Sequence, residues 1–356
     1  MDKLRYNPQI TANQHYVPSH FLEAWCNDGM LWGATRDARL FRQKPQNVAK
    51  AKGIYSQERM SADEFIANFS DVVSVAKGVN PELVKIIMDS LVSNLLHEGI
   101  IKGHYSSKEF DRILSYIVNS GLCSKDEILF LELVWKIYQC GNVPYEIKRF
   151  FEKHFIEGLE PFVTAVEQLA YPLIDMLRRG ESDFIYDSEK REILFLYIAV
   201  QMFRIRKFVD MAECYGEINH KALKLSRPIL MARTVNYLIQ QWDNAKFMVV
   251  ENKTELEFIT GDNPICNMYA YDRIKYLDLY FPISPNRAIF MCKKYRASLY
   301  PEMCHMTTQY VHFLNQKLAG GSSDQVFASK RDTLEFGGYK PSFDVQDIVL
   351  RAKRQH

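Results

Sequence analysis

Two short apolar runs late in the chain read Leu277-Asp278-Leu279-Tyr280-Phe281-Pro282 and Ala288-Ile289-Phe290-Met291-Cys292. Between them lies Ser284-Pro285-Asn286, a combination of residues that is typical of turns. Each run has the length of an ordinary strand and is rich in aromatic or β-branched residues, so we predict two strands joined by this turn. The chain is therefore expected to contain a sheet as well as helices.

The C-terminal third carries further elements on both sides of this pair. Lys246 to Glu251 and Glu255 to Ile259 flank Asn252-Lys253-Thr254, which predicts a hairpin. A helix is predicted from His305 to Lys317, ended by Gly320-Gly321, with a last short strand at Val326-Phe327-Ala328.

The N-terminal segment also contains strand signals. Phe21 to Trp25 reads as a short apolar helix or strand. Asp28-Gly29 is a hairpin signal, and it is followed by Met30 to Thr35 and by Arg39 to Arg42. We therefore predict a small antiparallel hairpin in this segment.

The middle of the chain, from about Pro81 to Gln241, has a different character. Apolar residues recur at helical spacing over 83–96 and 128–138. Asp187-Ser188-Glu189 precedes a long predicted helix that runs to about Glu213, with Ser188 as its cap. This region is therefore expected to be helical.

Together these patterns predict an α+β protein that is predominantly helical. A small antiparallel sheet is built from N- and C-terminal segments, with a large helical middle. The expected boundaries are an N-terminal α/β segment with a hairpin at 1–80, a helical region at 81–241, and C-terminal strands and a helix at 242–356 that complete the α/β unit.

Composition excludes several classes of protein. The chain has 356 residues and a net charge of +2, unlike a polycationic nucleic-acid coat. Its seven cysteines are odd in number and never spaced Cys-x-x-Cys, which argues against a disulfide framework and a structural zinc site. No apolar segment follows Met1-Asp2-Lys3, and no run approaches the roughly 20 apolar residues of a membrane span. We expect a cytoplasmic protein without membrane contact, whose oligomeric state the sequence leaves open.

Two polar motifs lie outside the apolar periodic stretches: Asn13-Gln14-His15-Tyr16-Val17-Pro18 and Thr260-Gly261-Asp262-Asn263-Pro264. Each places hydrogen-bonding side chains beside a proline that fixes the backbone, a setting in which binding and catalytic residues occur. If the fold brings the motifs together, the site contains one acid, one imidazole and amides. That set is sufficient for metal-free hydrolysis or for recognition of a base.

The catalytic assignments follow from the chemistry of these side chains. Asp262 follows an apolar run and can position water or stabilise an oxocarbenium-like sugar cation. His15 can act as acid, base or leaving-group stabiliser, and Asn263 can hold the departing base or sugar. The structural alternatives are an Asx-turn at Asp262 or Asn263 and a buried, hydrogen-bonded His15.

Gln14 and the aromatic residues near the first motif are assigned to substrate binding. Tyr16, with Trp25 and Trp32 further along the chain, can stack on a base. The alternative is that these rings belong to the hydrophobic core.

Gln201 and Arg204 are spaced to share one face of a predicted, largely buried helix. Buried polar side chains need partners, because an unpaired one costs about 1–3 kcal/mol. Either Arg204 binds a phosphate or base edge, or it forms a salt bridge with Asp262 or another acid.

Metal and cofactor chemistry find little support in the sequence. The nearest cluster is Cys304, His305 and His312, and no His-Glu-x-x-His, phosphate-loop or dinucleotide motif exists. No metal or cofactor is therefore expected. A nuclease arrangement can still be assembled from Asp243 with Glu251-Asn252-Lys253, although these last residues fall in a predicted turn.

Several of these residues resemble the motifs of the bacterial domain-of-unknown-function 4238 family. They are His15-Tyr16-Val17-Pro18, the stretch from Asn47-Val48-Ala49 to Gly53-Ile54-Tyr55, the pair Gln201 and Arg204, Pro282-Ile283-Ser284-Pro285, and Asn315. The family's late Ser-Asp-Asn-Pro motif is matched by Gly261-Asp262-Asn263-Pro264, with Gly261 in place of serine. The resemblance adds Ser284 and Asn315 to the expected substrate-binding residues. It also implies a place in phage defence, in the manner of a DNA glycosylase.

Two functions from different classes are consistent with these features. The first is a nucleic-acid-directed hydrolase, most specifically a metal-independent DNA N-glycosylase that excises modified bases in anti-phage defence. Its expected partner is nucleic acid, in particular phage DNA with modified bases. The second is a non-catalytic sensor that uses the same polar pocket to bind a phage component or nucleotide. A metal-dependent nuclease built on Asp243 and Glu251 is a third possibility.

Overall fold

The computed structural model describes residues 13–52, 61–76, 105–121, 160–205, 230–231, 234–268, 277–300, 303 and 305–343. The chain forms two compact units, one of residues 1–12, 55–165 and 219–236, the other of residues 13–54, 166–218 and 237–356. The helical region expected at 81–241 is divided between these units. The helical repeats predicted over 83–96 and 128–138 lie outside the described residues.

The described part of the chain contains helices and short strands. The helices are α1 (Ser19–Leu22), α2 (Ala62–Ala76), α3 (Ser107–Asn119), α4 (Glu160–Arg179), α5 (Ser188–Phe203), α6 (Thr308–Gly321) and α7 (Arg331–Gly337). The strands are β1 (Asn13–His15), β2 (Leu31–Thr35), β3 (Leu40–Gln43), β4 (Lys50–Lys52), β5 (Ala245–Glu251), β6 (Thr260–Gly261), β7 (Cys266–Asn267), β8 (Leu279–Ser284), β9 (Arg287–Lys293) and β10 (Gln325–Ala328). Residues 234–241 are also helical.

Helices α2 and α3 belong to the first unit and pack through aromatic residues. The Phe69 ring stacks on Phe65 and meets the Tyr116 ring edge-on, with centroids 5.8 Å apart in the second pair. Helix α3 begins with a capping box, in which the Ser106 hydroxyl accepts from the Glu109 N–H and the Glu109 carboxylate accepts from the Ser106 N–H.

One four-stranded antiparallel sheet of the second unit joins the two ends of the chain. Its strand order is β3-β2-β10-β6, so a late strand lies between an early hairpin and the strand that carries Gly261. Phe327 pairs with Gly33 on one side and with Thr260 on the other. The predicted α+β, helix-rich fold with a sheet built from N- and C-terminal segments is confirmed.

Gly33 of β2 leaves room for a side chain of the neighbouring strand. A Cβ at this position would overlap the Phe41 ring, which lies across the strand. The glycine lets that ring settle on the sheet, where it meets Phe327 edge-on at 6.5 Å.

The other four-stranded sheet has the order β5-β9-β8-β7. The predicted pair of strands around Ser284-Pro285-Asn286 is confirmed as β8 and β9. The hairpin predicted between Lys246–Glu251 and Glu255–Ile259 is wrong, because β5 pairs along its whole length with β9. The Asn252 side chain instead folds the chain back by donating to the Leu256 carbonyl and accepting from the Thr254 N–H.

The helix predicted after Asp187-Ser188-Glu189 is present as α5, but it begins at Ser188, and its N-cap is Asp187 rather than Ser188. The Asp187 carboxylate accepts from the Glu189 and Lys190 N–H groups, and these bonds hold its pKa below the usual range. The helix ends at Phe203, and residues 206–213 lie outside the described part of the chain.

Trp25 anchors the core between the early segment and the sheets. It is fully buried, and its indole N–H donates to the Phe258 carbonyl at 2.9 Å. Its ring packs on Phe21, which stacks on Phe281 with centroids 5.3 Å apart. The alternative assignment of Trp25 to the core is therefore correct, and this ring cannot stack on a base.

Candidate functional site

The two sequence motifs approach each other through β4 and β10. Strand β1 pairs with β4, placing Gln14 opposite Ala51, and the Tyr16 N–H donates to the Ala49 carbonyl at 2.9 Å. The Ala49 N–H in turn donates to the Gln325 side chain at 3.1 Å. Gln325 begins β10, which pairs with Gly261 of the second motif. The sheet thus brings the segments that carry both motifs to one region.

A cleft opens at this junction, and we call it the Lys50 cleft. Its two adjoining sections have volumes of about 490 Å³ and 600 Å³, a size suited to a nucleotide. The first section is lined by Thr35, Arg39, Phe41, Gln43, Asn47, Val48, Lys50 and Gln325. The second is lined by Tyr16, Thr35, Arg36, Asp37, Lys50, Asp324 and Gln325.

The first section of the Lys50 cleft combines an aromatic ring with cations. Phe41 is half-buried over Gly33, and the exposed Arg39 and Lys50 line the same section. Sequence reasoning missed these residues as a site. The signal was present in Arg39-Leu40-Phe41-Arg42, where an aromatic residue lies between two basic ones in a predicted strand.

Of the aromatic residues assigned to base stacking, only Tyr16 lines the cleft among those described. Trp32 is half-buried on the opposite face of the sheet, where Arg42 and Arg331 lie over its ring at 6.0 Å and 5.8 Å. Adjacent residues of a strand point to opposite faces, which separates Trp32 from the face that carries Phe41.

Asp262 is buried and holds a loop in place. Its carboxylate accepts from three consecutive backbone N–H groups, those of Ser323, Asp324 and Gln325. The Asp262 N–H donates to the Gln325 carbonyl at 3.0 Å. Burial raises the pKa of Asp262 to about 6, against the effect of these three donors. Asp262 therefore turns its carboxylate to the loop backbone and does not line the cleft.

Gly261 of the second motif leaves room for the Ser322 side chain. A Cβ on Gly261 would overlap the Ser322 hydroxyl, which donates to the Leu318 carbonyl. A serine at this position would displace Ser322 from the end of α6.

Three other assigned residues make hydrogen bonds within the fold. The Asn263 amide donates to the Gly321 carbonyl at 3.1 Å, and the Ser284 hydroxyl donates to the Asn286 side chain at 2.8 Å. Asn315 is fully buried, accepting from the Ile259 N–H and donating to the Glu257 carbonyl. None of the three assigned residues lines either described section of the Lys50 cleft.

His15 is half-buried next to the cleft segment, with its Nε2 3.2 Å from the Gln46 carbonyl. Burial lowers the pKa of His15, because it disfavours the charged imidazolium. Its own carbonyl oxygen accepts from the Arg204 guanidinium. The histidine thus has structural bonds on both its ring and its backbone.

Arg204 forms a buried ion pair, but with Glu167 of α4 rather than with Asp262. The other oxygen of Glu167 accepts from the Tyr171 hydroxyl at 2.7 Å. The pair of alternatives left open for Arg204 is therefore decided in favour of a salt bridge. Arg204 connects α5, α4 and the first motif, because it also donates to His15.

Gln201 lies in the same buried region. Its side chain is fully buried, and its amide nitrogen and oxygen have no hydrogen-bond partner among the described residues. The hydroxyl of Tyr197, one helical turn earlier, is in the same situation. Such groups cost about 1–3 kcal/mol each, so this region is locally unfavourable.

The nuclease residues do not form one site. Asp243 and Glu251 lie at opposite ends of the seven-residue strand β5, so they are separated by roughly 20 Å. Glu251 pairs with Arg287 and Lys253. Among the described residues no group of three or more acidic, His or Cys side chains is placed to hold a metal ion. Within the same residues, no helix combines the length and the apolar character needed to cross a membrane.

The structure is a helix-rich α+β protein in which the sheet β3-β2-β10-β6 and the β1-β4 pair place an aromatic and cationic cleft beside both polar motifs. The chain matches the family model described as "Protein of unknown function (DUF4238)" over residues 13–228 and 217–332. It belongs to that family, as the resemblance of its motifs predicted. No curated protein and no solved structure matches the chain at a significant level.

Proposed function

We propose that the protein is a nucleic-acid-directed hydrolase, most specifically a metal-independent DNA N-glycosylase that excises modified bases in anti-phage defence. The observation that carries this proposal is the Lys50 cleft. Both polar motifs are bonded to its walls, and it combines a half-buried aromatic ring, exposed cations and a carboxylate.

Binding is supported by the chemistry of the first section. A base stacked on the Phe41 ring gains about 1–3 kcal/mol, and stacking tolerates every base because each has a π-face. Arg39 and Lys50 are placed to meet the phosphates that flank such a base.

Hydrolysis is supported by the second section, where Asp324 and Tyr16 stand together. Cleavage of an N-glycosidic bond needs a carboxylate to activate water or to stabilise the sugar cation. One such carboxylate is sufficient, whereas a two-metal nuclease needs several.

The main test is incubation of the purified protein with plain, hydroxymethylated and glucosylated phage DNA in EDTA, followed by alkali. We expect strand breaks that appear only after alkali, because abasic sites are alkali-labile. Breaks that need magnesium and no alkali would contradict the proposal and support a nuclease.

A sensor without catalysis is the second candidate, and one observation favours it. Both oxygens of Asp262 are used by backbone N–H groups, so the carboxylate of the motif itself has a structural role. In this case the DNA binds and no base is released from any substrate.

Binding in the cleft predicts a selective effect of Phe41. Phe41→Ala is expected to weaken single-stranded DNA binding by about 5- to 100-fold, because stacking is lost.

Lys50→Gln should reduce the slope of log K against log salt by about 0.7, the value for one contact to single-stranded DNA. Both are measured by fluorescence anisotropy.

The matched control is Arg42→Gln, which removes a cation next to Phe41 on the opposite face of the same strand. It should change the affinity by less than about threefold, since its phosphate contact would have to come from the other face. An equal loss in Phe41→Ala and Arg42→Gln would place the nucleic acid elsewhere.

A further inference from the structure

We infer that Asp324 is the carboxylate that activates water in this cleft, and that the role of Asp262 is to fix the loop that presents it. This inference rests on the proposed function and deepens it. It moves the catalytic assignment from the residue of the motif to a residue 62 positions later.

The loop that carries Asp324 is held rigidly from the inside. Three successive N–H groups, at residues 323 to 325, point to the Asp262 carboxylate. The Asp262 N–H returns a bond to the Gln325 carbonyl, and the Gln325 side chain accepts from Ala49. A backbone fixed in this way holds a side chain in one place without ordering cost on substrate binding.

The carboxylates of Asp262 and Asp324 differ in whether they can reach a substrate in the cleft. Asp262 is 3% exposed and lies behind the loop. Asp324 is half-buried and lines the second section of the Lys50 cleft with Tyr16 and Lys50. A group that takes a proton from a substrate water must lie within hydrogen-bond reach of it, so only Asp324 of this pair is suitably placed.

A second acid lines the same section, and its setting is different. Asp37 is exposed, lies in the turn between β2 and β3, and accepts from the Thr35 hydroxyl. It has no buried clamp comparable to the one formed by Asp262. Asp37 therefore serves as a matched control, with the same charge at the same cleft.

The reaction balances with water as the only co-reactant. The Asp324 carboxylate takes one proton from water as the water oxygen bonds to C1′ of the sugar. The C1′–N bond breaks, its electron pair goes to the base nitrogen, and Asp324 passes its proton to the departing base. The products are the free base and an abasic sugar with a hydroxyl at C1′, and the carboxylate is regenerated.

The test compares Asp324→Asn, Asp324→Glu and Asp37→Asn in two assays on the same preparations. One assay is single-turnover base release in EDTA, and the other is anisotropy with the same DNA. Asp324→Asn should lower base release at least about 100-fold with less than a threefold change in affinity, as expected for loss of a general base. Asp37→Asn, which removes the same charge from the same section, should lower base release far less than Asp324→Asn does.

The conservative variant adds a readout that a structural role would not move. Asp324→Glu keeps a carboxylate at this position, so it should retain clearly more base release than Asp324→Asn at equal DNA affinity.

Three outcomes overturn the inference. In the first, Asp324→Asn releases base within threefold of the wild type, so the glycosylase proposal stands and another group is the base. In the second, Asp324→Asn loses affinity as much as rate. In the third, the wild type binds DNA but releases no base, which also removes the proposed hydrolase and leaves the sensor.

Discussion

Replacing Arg204 with methionine is expected to lower the free energy of unfolding by about 3–5 kcal/mol, because it leaves the carboxylate of Glu167 buried without its partner. The substitution also removes the bond to the His15 carbonyl. Equilibrium unfolding in urea measures the change. Loosening of the first motif should follow, seen as faster hydrogen exchange at the Tyr16 amide.

Two further variants separate an unpaired charge from lost packing. The double variant Arg204→Met/Glu167→Met should recover much of the loss, since apolar residues of similar volume often replace a buried ion pair at little cost. Arg179→Met is the control, because the pair of Arg179, the last residue of α4, with Glu181 is exposed and should contribute little. A double variant no more stable than Arg204→Met would show that the ion pair itself is not the cause.

Asp262→Ala is the second large effect. It removes the acceptor of three backbone N–H groups in one loop, and we expect a loss of about 3 kcal/mol or more in the free energy of unfolding. Hydrogen exchange at residues 323 to 325 should accelerate more than exchange in β8 or β9, which locates the effect in the loop.

Asp187→Ala provides the comparison for this prediction. Asp187 also accepts from backbone N–H groups, but at the exposed start of α5, where water can replace it. Its effect should be clearly smaller. If Asp262→Ala and Asp187→Ala lower the free energy of unfolding equally, the bonds to the buried Asp262 carboxylate contribute no more than an exposed helix cap. The loop is then stabilised by other contacts.

Local sequence signals were sufficient for the strands that pair with a near neighbour. The turn at Ser284-Pro285-Asn286 joins β8 to β9 because it leaves only one register for two adjoining apolar runs. The same reasoning failed for β5, which was expected to pair with the run that follows it. All seven residues of β5 instead pair with β9, which begins 36 residues after the end of β5. A competing partner at such a distance gives no signal in a local window.

The sequence could suggest that the two polar motifs meet, but not which contacts their residues make. The motifs of His15 and Asp262 do belong to segments that meet. The role of Asp262 depends on N–H groups at residues 323 to 325, and every residue type supplies such donors. Glu167, the partner of Arg204, lies on a helix with no motif to mark it.

The sheet β3-β2-β10-β6 also determines when, during synthesis of the chain, the cleft can be completed. Gly33 and Phe327 pair across 294 positions, the difference between their numbers in the chain. At roughly 5–20 residues per second, about 15–60 s separate their emergence from the ribosome. Until then the hairpin of β2 and β3 lacks its neighbour, and Asp324 and Gln325 are missing from the cleft. An unfinished chain therefore carries no complete cleft until β10 has been made.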